Sequence, residues 1–93
     1  MAQVNVDPED LRRFASNLKQ FNGDIEQCLQ RVHGQFRQLG QSWQDQDYRQ
    51  FEQIFESTVQ QLRRFVQTSE AFIPVLQKKA QAIDVYGNTK FPG

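Results

Sequence analysis

A chain of 93 residues has room for one small domain, and its 11 basic residues are cancelled by 11 acidic ones. That balance lacks the basic excess of a nucleic-acid-binding domain, so no nucleic-acid partner is expected. The doublets Arg12-Arg13, Arg63-Arg64 and Lys78-Lys79 are spread along the chain and read as solvated helix faces. No apolar run approaches the roughly 18 residues of a membrane span, so no stable membrane insertion is expected. The lone Cys28 excludes an intrachain disulfide or a thiolate cluster. The acidic opening MAQVNVDPED is not a cleavable secretory signal; synthesis and folding in the cytoplasm are expected, with any export by another route.

The first element opens at VDPEDL. Asp7 is placed to cap it, Pro8 sits where a missing amide hydrogen is harmless, and Glu9 and Asp10 face the positive helix end. Apolar residues then recur at Leu11, Phe14, Leu18, Phe21, Ile25, Cys28, Val32, Phe36 and Leu39, in steps of three and four. This is a heptad-like seam and predicts a helix over about 8–39, with Cys28 as a small buried hydrophobe on it. Gly40 suits a left-handed C-cap, and Ser42 with Asp45 suits the capping box of a second helix.

That second helix is expected over about 43–86. Its stripe runs through Tyr48, Phe51, Phe55, Leu62, Phe65, Phe72, Leu76, Ile83 and Tyr86, widened by Ile54, Val59, Val66 and Ile73. Pro74 removes an amide donor and crowds the Glu70 carbonyl, which predicts a kink or a frayed turn near 70–74; the seam continues in register past it, so one bent helix is expected and not two. YGNTKFPG has no periodicity, so residues 87–93 are expected to form a loose tail within a single 1–93 hairpin domain.

Two long helices joined by a short turn lie antiparallel, which gives an all-α helical hairpin. The second stripe is too wide for one neighbour, and leaving it in water forfeits about 25 cal/mol per Å². Two hairpins closing into a four-helix-bundle dimer bury it. Phe14, Leu18, Phe21 and Ile25 of the first helix, with Val59, Leu62, Val66 and Ile73 of the second, are the candidate interface.

Catalysis has little to work with. His33 has no cysteine or serine partner at a useful spacing, and Asp45 and Asp47, two apart, point to different helix faces. There is no Gly-rich phosphate loop and no paired-His motif, so no enzyme, metal or cofactor is expected.

The bend carries the most particular pattern. Trp43 lies at the turn of a hairpin of about this size, Phe51 and Phe55 follow it by eight and twelve positions, and VDPEDLRRFASNL opens the first helix. Together these resemble the WXG100 (ESAT-6-like) family, over approximately residues 4–85. In that family a Trp-x-Gly turn is followed by a small residue; here Asp45 stands for the glycine and Asp47 for the small residue. Gly40 and an aspartate at the helix start are expected to do the turn's work, with the indole packed against first-helix residues such as Phe36. Many exported members carry a Tyr-x-x-x-Asp/Glu signal after the second helix. Tyr86 has that place, but Lys90 lies four positions on, and Tyr48 to Glu52, which does match, opens the second helix instead.

The resemblance implies a small non-catalytic protein of a bacterial type VII-like secretion system. It would act as a homo- or heterodimeric substrate, co-secreted partner or adaptor, paired with itself, with a paralogous hairpin or with a larger secreted effector. Gly40, Trp43, Asp45, Phe51 and Phe55 would form its motif. Two other classes fit the hairpin: a self-assembling subunit of a secretion needle, and a cytoplasmic chaperone or adaptor for a toxin.

Overall fold

A computed structural model of the chain describes residues 5–90, with side chains as far as Tyr86. Two helices make up the fold, α1 over Pro8–Leu39 and α2 over Gln46–Lys90. Asp7 caps α1 through a 2.9 Å bond from the Glu9 amide, with Pro8 in the first turn. Arg12 joins the start of α1 to the far end of α2 by an ion pair with Asp84, which raises the Arg12 pKa chiefly through that hydrogen bond.

The antiparallel seam is heptad-spaced on both sides. Ala15, Asn22, Leu29 and Phe36 are the buried residues of α1, and Val59, Val66, Ile73 and Ala80 lie opposite them in α2. A seven-residue repeat keeps one face toward the neighbour along the whole helix, and so fills this seam and little else. The hairpin measures 73 × 26 × 15 Å, which makes it a single layer of helices. A single layer has no second neighbour for a second stripe.

One layer of the seam is polar. Asn22, only 1 % exposed, donates from Nδ2 to Ser69 Oγ at 2.9 Å and to Glu70 Oε2 at 3.3 Å. Its Oδ1 is buried and finds no partner among the described residues.

The structure differs from the sequence expectations at five places. Helix α2 begins at Gln46 rather than 43, because Asp45 is its cap and Ser42 is not: Asp45 Oδ1 accepts from the Tyr48 amide at 3.0 Å, whereas Ser42 Oγ only reaches back toward Leu39 O at 3.5 Å. Gly40 is right-handed, with φ −64° and ψ −15°. The loose tail expected from 87 is helical as far as Lys90, and residues 91–93 lie outside those described. Helix α2 runs through Pro74 as the single helix expected, without a frayed turn at 70–74. Cys28 is exposed, while Leu29 beside it takes the seam position. Lastly, Val59, Val66 and Ile73, assigned above to a partner interface, are buried in the hairpin's own seam, where α1 already covers them.

Candidate functional site

Two surfaces carry what is distinctive here, the bend and one face of the hairpin. At the bend the backbone tightens without left-handed geometry: the Gly40 amide is shared between Phe36 O and Arg37 O, both at 3.1 Å, and the Trp43 amide returns to Leu39 O at 2.8 Å. Glycine is needed at 40 for space. A Cβ there would stand 2.8 Å from Tyr48 Cζ, nearer still to its hydroxyl, and 3.2 Å from the Arg37 carbonyl.

Tyr48 fills that space and organises the bend. Its ring lies flat on Phe36, with centroids 4.5 Å apart and planes 7° from parallel, and its buried hydroxyl donates to Phe36 O at 3.2 Å. Burial pushes its phenol pKa up, helped by the nearby charges of Glu52 and Glu56. Trp43, 37 % exposed, meets the edge of the Tyr48 ring at 5.2 Å. The indole therefore connects with Phe36 through Tyr48. Asp45 draws the pieces together: the Tyr48 amide and then the Trp43 side chain hydrogen-bond to it and hold its pKa below the usual carboxylate value. The aspartate standing where a Trp-x-Gly turn has glycine is both the α2 cap and a partner of the indole.

The aromatic run continues down the hairpin. Phe51 and Phe55, placed with Trp43 in one motif by the sequence, both touch Phe36, at centroid distances of 5.6 and 5.1 Å. His33 stacks on Phe55 at 5.9 Å while its Nε2 lies 2.8 Å from Glu56 Oε1. These contacts give His33 a structural place across the two helices.

The second surface is the stripe next to the seam. Phe14 and Phe21 on α1, and Phe51, Phe65 and Phe72 on α2, are each about half exposed. Phe21 and Phe65 meet edge to face at 6.4 Å, and the others follow at multiples of seven residues along the same helices, which puts the five on one side of the layer. Beside that pair is a shallow hollow of about 210 Å³ lined by Ile25, Cys28, Leu29, Val32 and Leu62. Of the expected interface, Phe14, Leu18, Phe21, Ile25 and Leu62 border this face, and the three buried α2 residues do not. The sequence reading placed Phe65 and Phe72 on the α2 stripe but not at an interface. Each immediately precedes a buried seam residue, Val66 or Ile73, and the pattern alone did not say which phase faces α1.

Comparison with known proteins agrees with this geometry. An uncharacterized protein of Clostridium acetobutylicum is 28% identical over 101 residues, covering 94% of this chain and 99% of its own. Crystal structures of the secreted protein EsxB of Bacillus anthracis are similar in fold. The wild-type form has a TM-score of 0.72 at 24% identity, covering 90% of this chain and 98% of that one. The selenomethionine form has a TM-score of 0.70 at 25% identity, covering 98% and 100%. The family described as proteins of 100 residues with WXG matches residues 3–84, and with the tryptophan at the bend of a helical hairpin and the aromatics ordered behind it, the chain belongs to the WXG100 family.

Proposed function

We propose that this chain is a non-catalytic protein handled by a bacterial type VII-like secretion system, exported or travelling with an exported partner. It works as one half of a dimer of helical hairpins. The observation that carries this reading is the aromatic face: a layer 15 Å thick leaves five phenylalanines half in water, which is a surface built to be covered. Likeness to a secreted protein of the same fold supports the export half of the reading. Trp43, partly exposed at the tip and held by Asp45, is the candidate recognition point, while the seam and bend keep the hairpin rigid behind it.

The test is export. Tagged protein should appear in the medium of a bacterium with an active type VII system and stay in the cells of a strain in which that system is disrupted. Trp43→Ala should reduce export while circular dichroism still reports a helical protein. Equal amounts in both media would sink the proposal, and filaments of purified protein under the electron microscope would favour a needle subunit instead.

A further inference from the structure

We infer that the hairpin is built in two halves: α2 from Pro74 onward is an arm that detaches from α1 and unwinds as one unit while the bend half stays folded. The inference goes beyond the secretion reading and does not depend on what covers the aromatic face.

Packing divides the seam at the polar layer of Asn22 and Ser69. On its bend side the buried residues are Leu29, Phe36, Tyr48, Val59 and Val66; toward the free ends they are Ala15, Ile73 and Ala80. Two of those three are alanines, with one methyl each, and hydrophobic stabilisation scales with the apolar area removed from water. Ring contacts run from the bend as far as Phe21–Phe65, beside the layer, and stop there among the described residues. Past the layer the helices leave a cleft of about 740 Å³, with Ala15, Ser16, Ile73, Gln77 and Gln81 in its lining.

The same level of the hairpin is where α2 breaks most easily. Pro74 has no amide hydrogen, so the Glu70 carbonyl lacks its donor four residues on. Glu70 also belongs to the polar layer, since its Oε2 accepts from Asn22 Nδ2 at 3.3 Å. Asn22 Oδ1 is buried without a partner among the described residues, so lifting the arm lets water supply a hydrogen bond that the closed seam denies it. In α1 the proline sits harmlessly in the first turn, behind the Asp7 cap, which leaves the break to α2.

At its far end the arm is latched by the Arg12–Asp84 ion pair, whose side chains are 38 % and 41 % exposed. Exposed pairs hold weakly. Arg12 precedes the buried Ala15 by three residues and Phe14 precedes it by one, which puts the latch and the phenylalanines on opposite sides of the seam. A partner on the aromatic face therefore leaves the latch in water. An arm that lets go of α1 is a short isolated helix, marginal in water, so detachment and unwinding go together.

Hydrogen exchange on the full chain at fixed protein concentration, read residue by residue, tests the division. Amides 76–86 should be at least about ten-fold less protected than amides 52–66, and should open as a group with one urea dependence. Tyr48→Phe weakens only the bend half, so it should speed exchange at 52–66 and leave 76–86 unchanged. Pro74→Ala gives the Glu70 carbonyl its donor back and should slow exchange at 76–86 by about ten-fold or more. Asp84→Asn releases the latch and should speed it by about two- to five-fold. Equal protection in the two groups would make the hairpin a single cooperative unit. Protection that falls smoothly toward the C-terminus and ignores Pro74→Ala would be ordinary end fraying. Either result overturns the inference, as would Tyr48→Phe speeding both groups alike or an arm indifferent to Asp84→Asn.

Discussion

Replacing Gly40 by alanine is the sharpest probe of the bend. The backbone there is ordinary right-handed helix, so alanine has no conformational reason to fail, and helix propensity alone favours it by about 1 kcal/mol. Its methyl would stand 2.8 Å from Tyr48 Cζ, where carbon atoms prefer about 3.5–4.0 Å. Tyr48 has nowhere to retreat, because its ring is stacked on Phe36 and its hydroxyl is bonded to the Phe36 carbonyl. Overpacking of this kind costs about 1–3 kcal/mol, and a buried hydrogen bond disturbed with it adds about 1 kcal/mol. After the propensity gain the net loss is about 1–3 kcal/mol for Gly40→Ala. For a chain of this size that lowers Tm by roughly 4–24 °C. Thermal melts by circular dichroism at fixed protein concentration measure it, since association also moves Tm. In a Tyr48→Phe background, which lacks the hydroxyl nearest the new methyl, the Tm loss should shrink by about half. A Gly40→Ala protein as stable as wild type would mean that Tyr48 does not occupy the space over Gly40, and the account of the bend would fail.

Other substitutions probe the rest of the hairpin. Gly23 and Gly34 lie mid-helix with open space around a built Cβ, so Gly23→Ala and Gly34→Ala should each add about 1 kcal/mol in urea melts. Asn22→Leu alone should destabilise, because it strands the buried Ser69 hydroxyl; Asn22→Leu with Ser69→Ala also removes the orphaned Oδ1 and should recover that loss or exceed it. A double variant weaker than the single would count against the polar layer as drawn. Trp43→Ala should cost about 1–2 kcal/mol, below the roughly 3–5 of a fully buried ring, because the indole is only partly covered. Asp45 has its pKa lowered by folding, so its contribution is fully present above the unfolded value, near 3.8, and is lost as pH falls through the lower folded value. Asp45→Asn keeps the cap without that titration, so the decline of Tm below about pH 4 should be shallower than in wild type.

Much of the hairpin is legible in the residues because its causes are local. Asp7-Pro8 starts α1, a seven-residue repeat holds one face in register over both helices, and Gly40 to Asp45 interrupts the pattern. Such signals act within a turn or two of helix and need no knowledge of what lies across from them. What they leave undetermined is phase and partner. Val66 and Phe65, or Ile73 and Phe72, are neighbours of nearly equal apolarity, and only packing against α1 puts the valine and isoleucine inside and the phenylalanines outside. Cys28 and Leu29 were exchanged for the same reason.

The bend shows the division most clearly. From the sequence alone, Trp43, Phe51 and Phe55 fall at the spacing of a family motif, and Asp45 looks like a departure from it. In three dimensions Asp45 caps α2 and holds the indole, Tyr48 joins Trp43 to Phe36, and Gly40 supplies the room for the Tyr48 ring. The run of residues determined that there would be two helices, a break between them and an apolar excess to bury. Tertiary contact between residues 8 to 12 positions apart decided which groups fill the break, and the one-layer hairpin decided which half of the apolar excess stays uncovered, because a single neighbour covers a single seam.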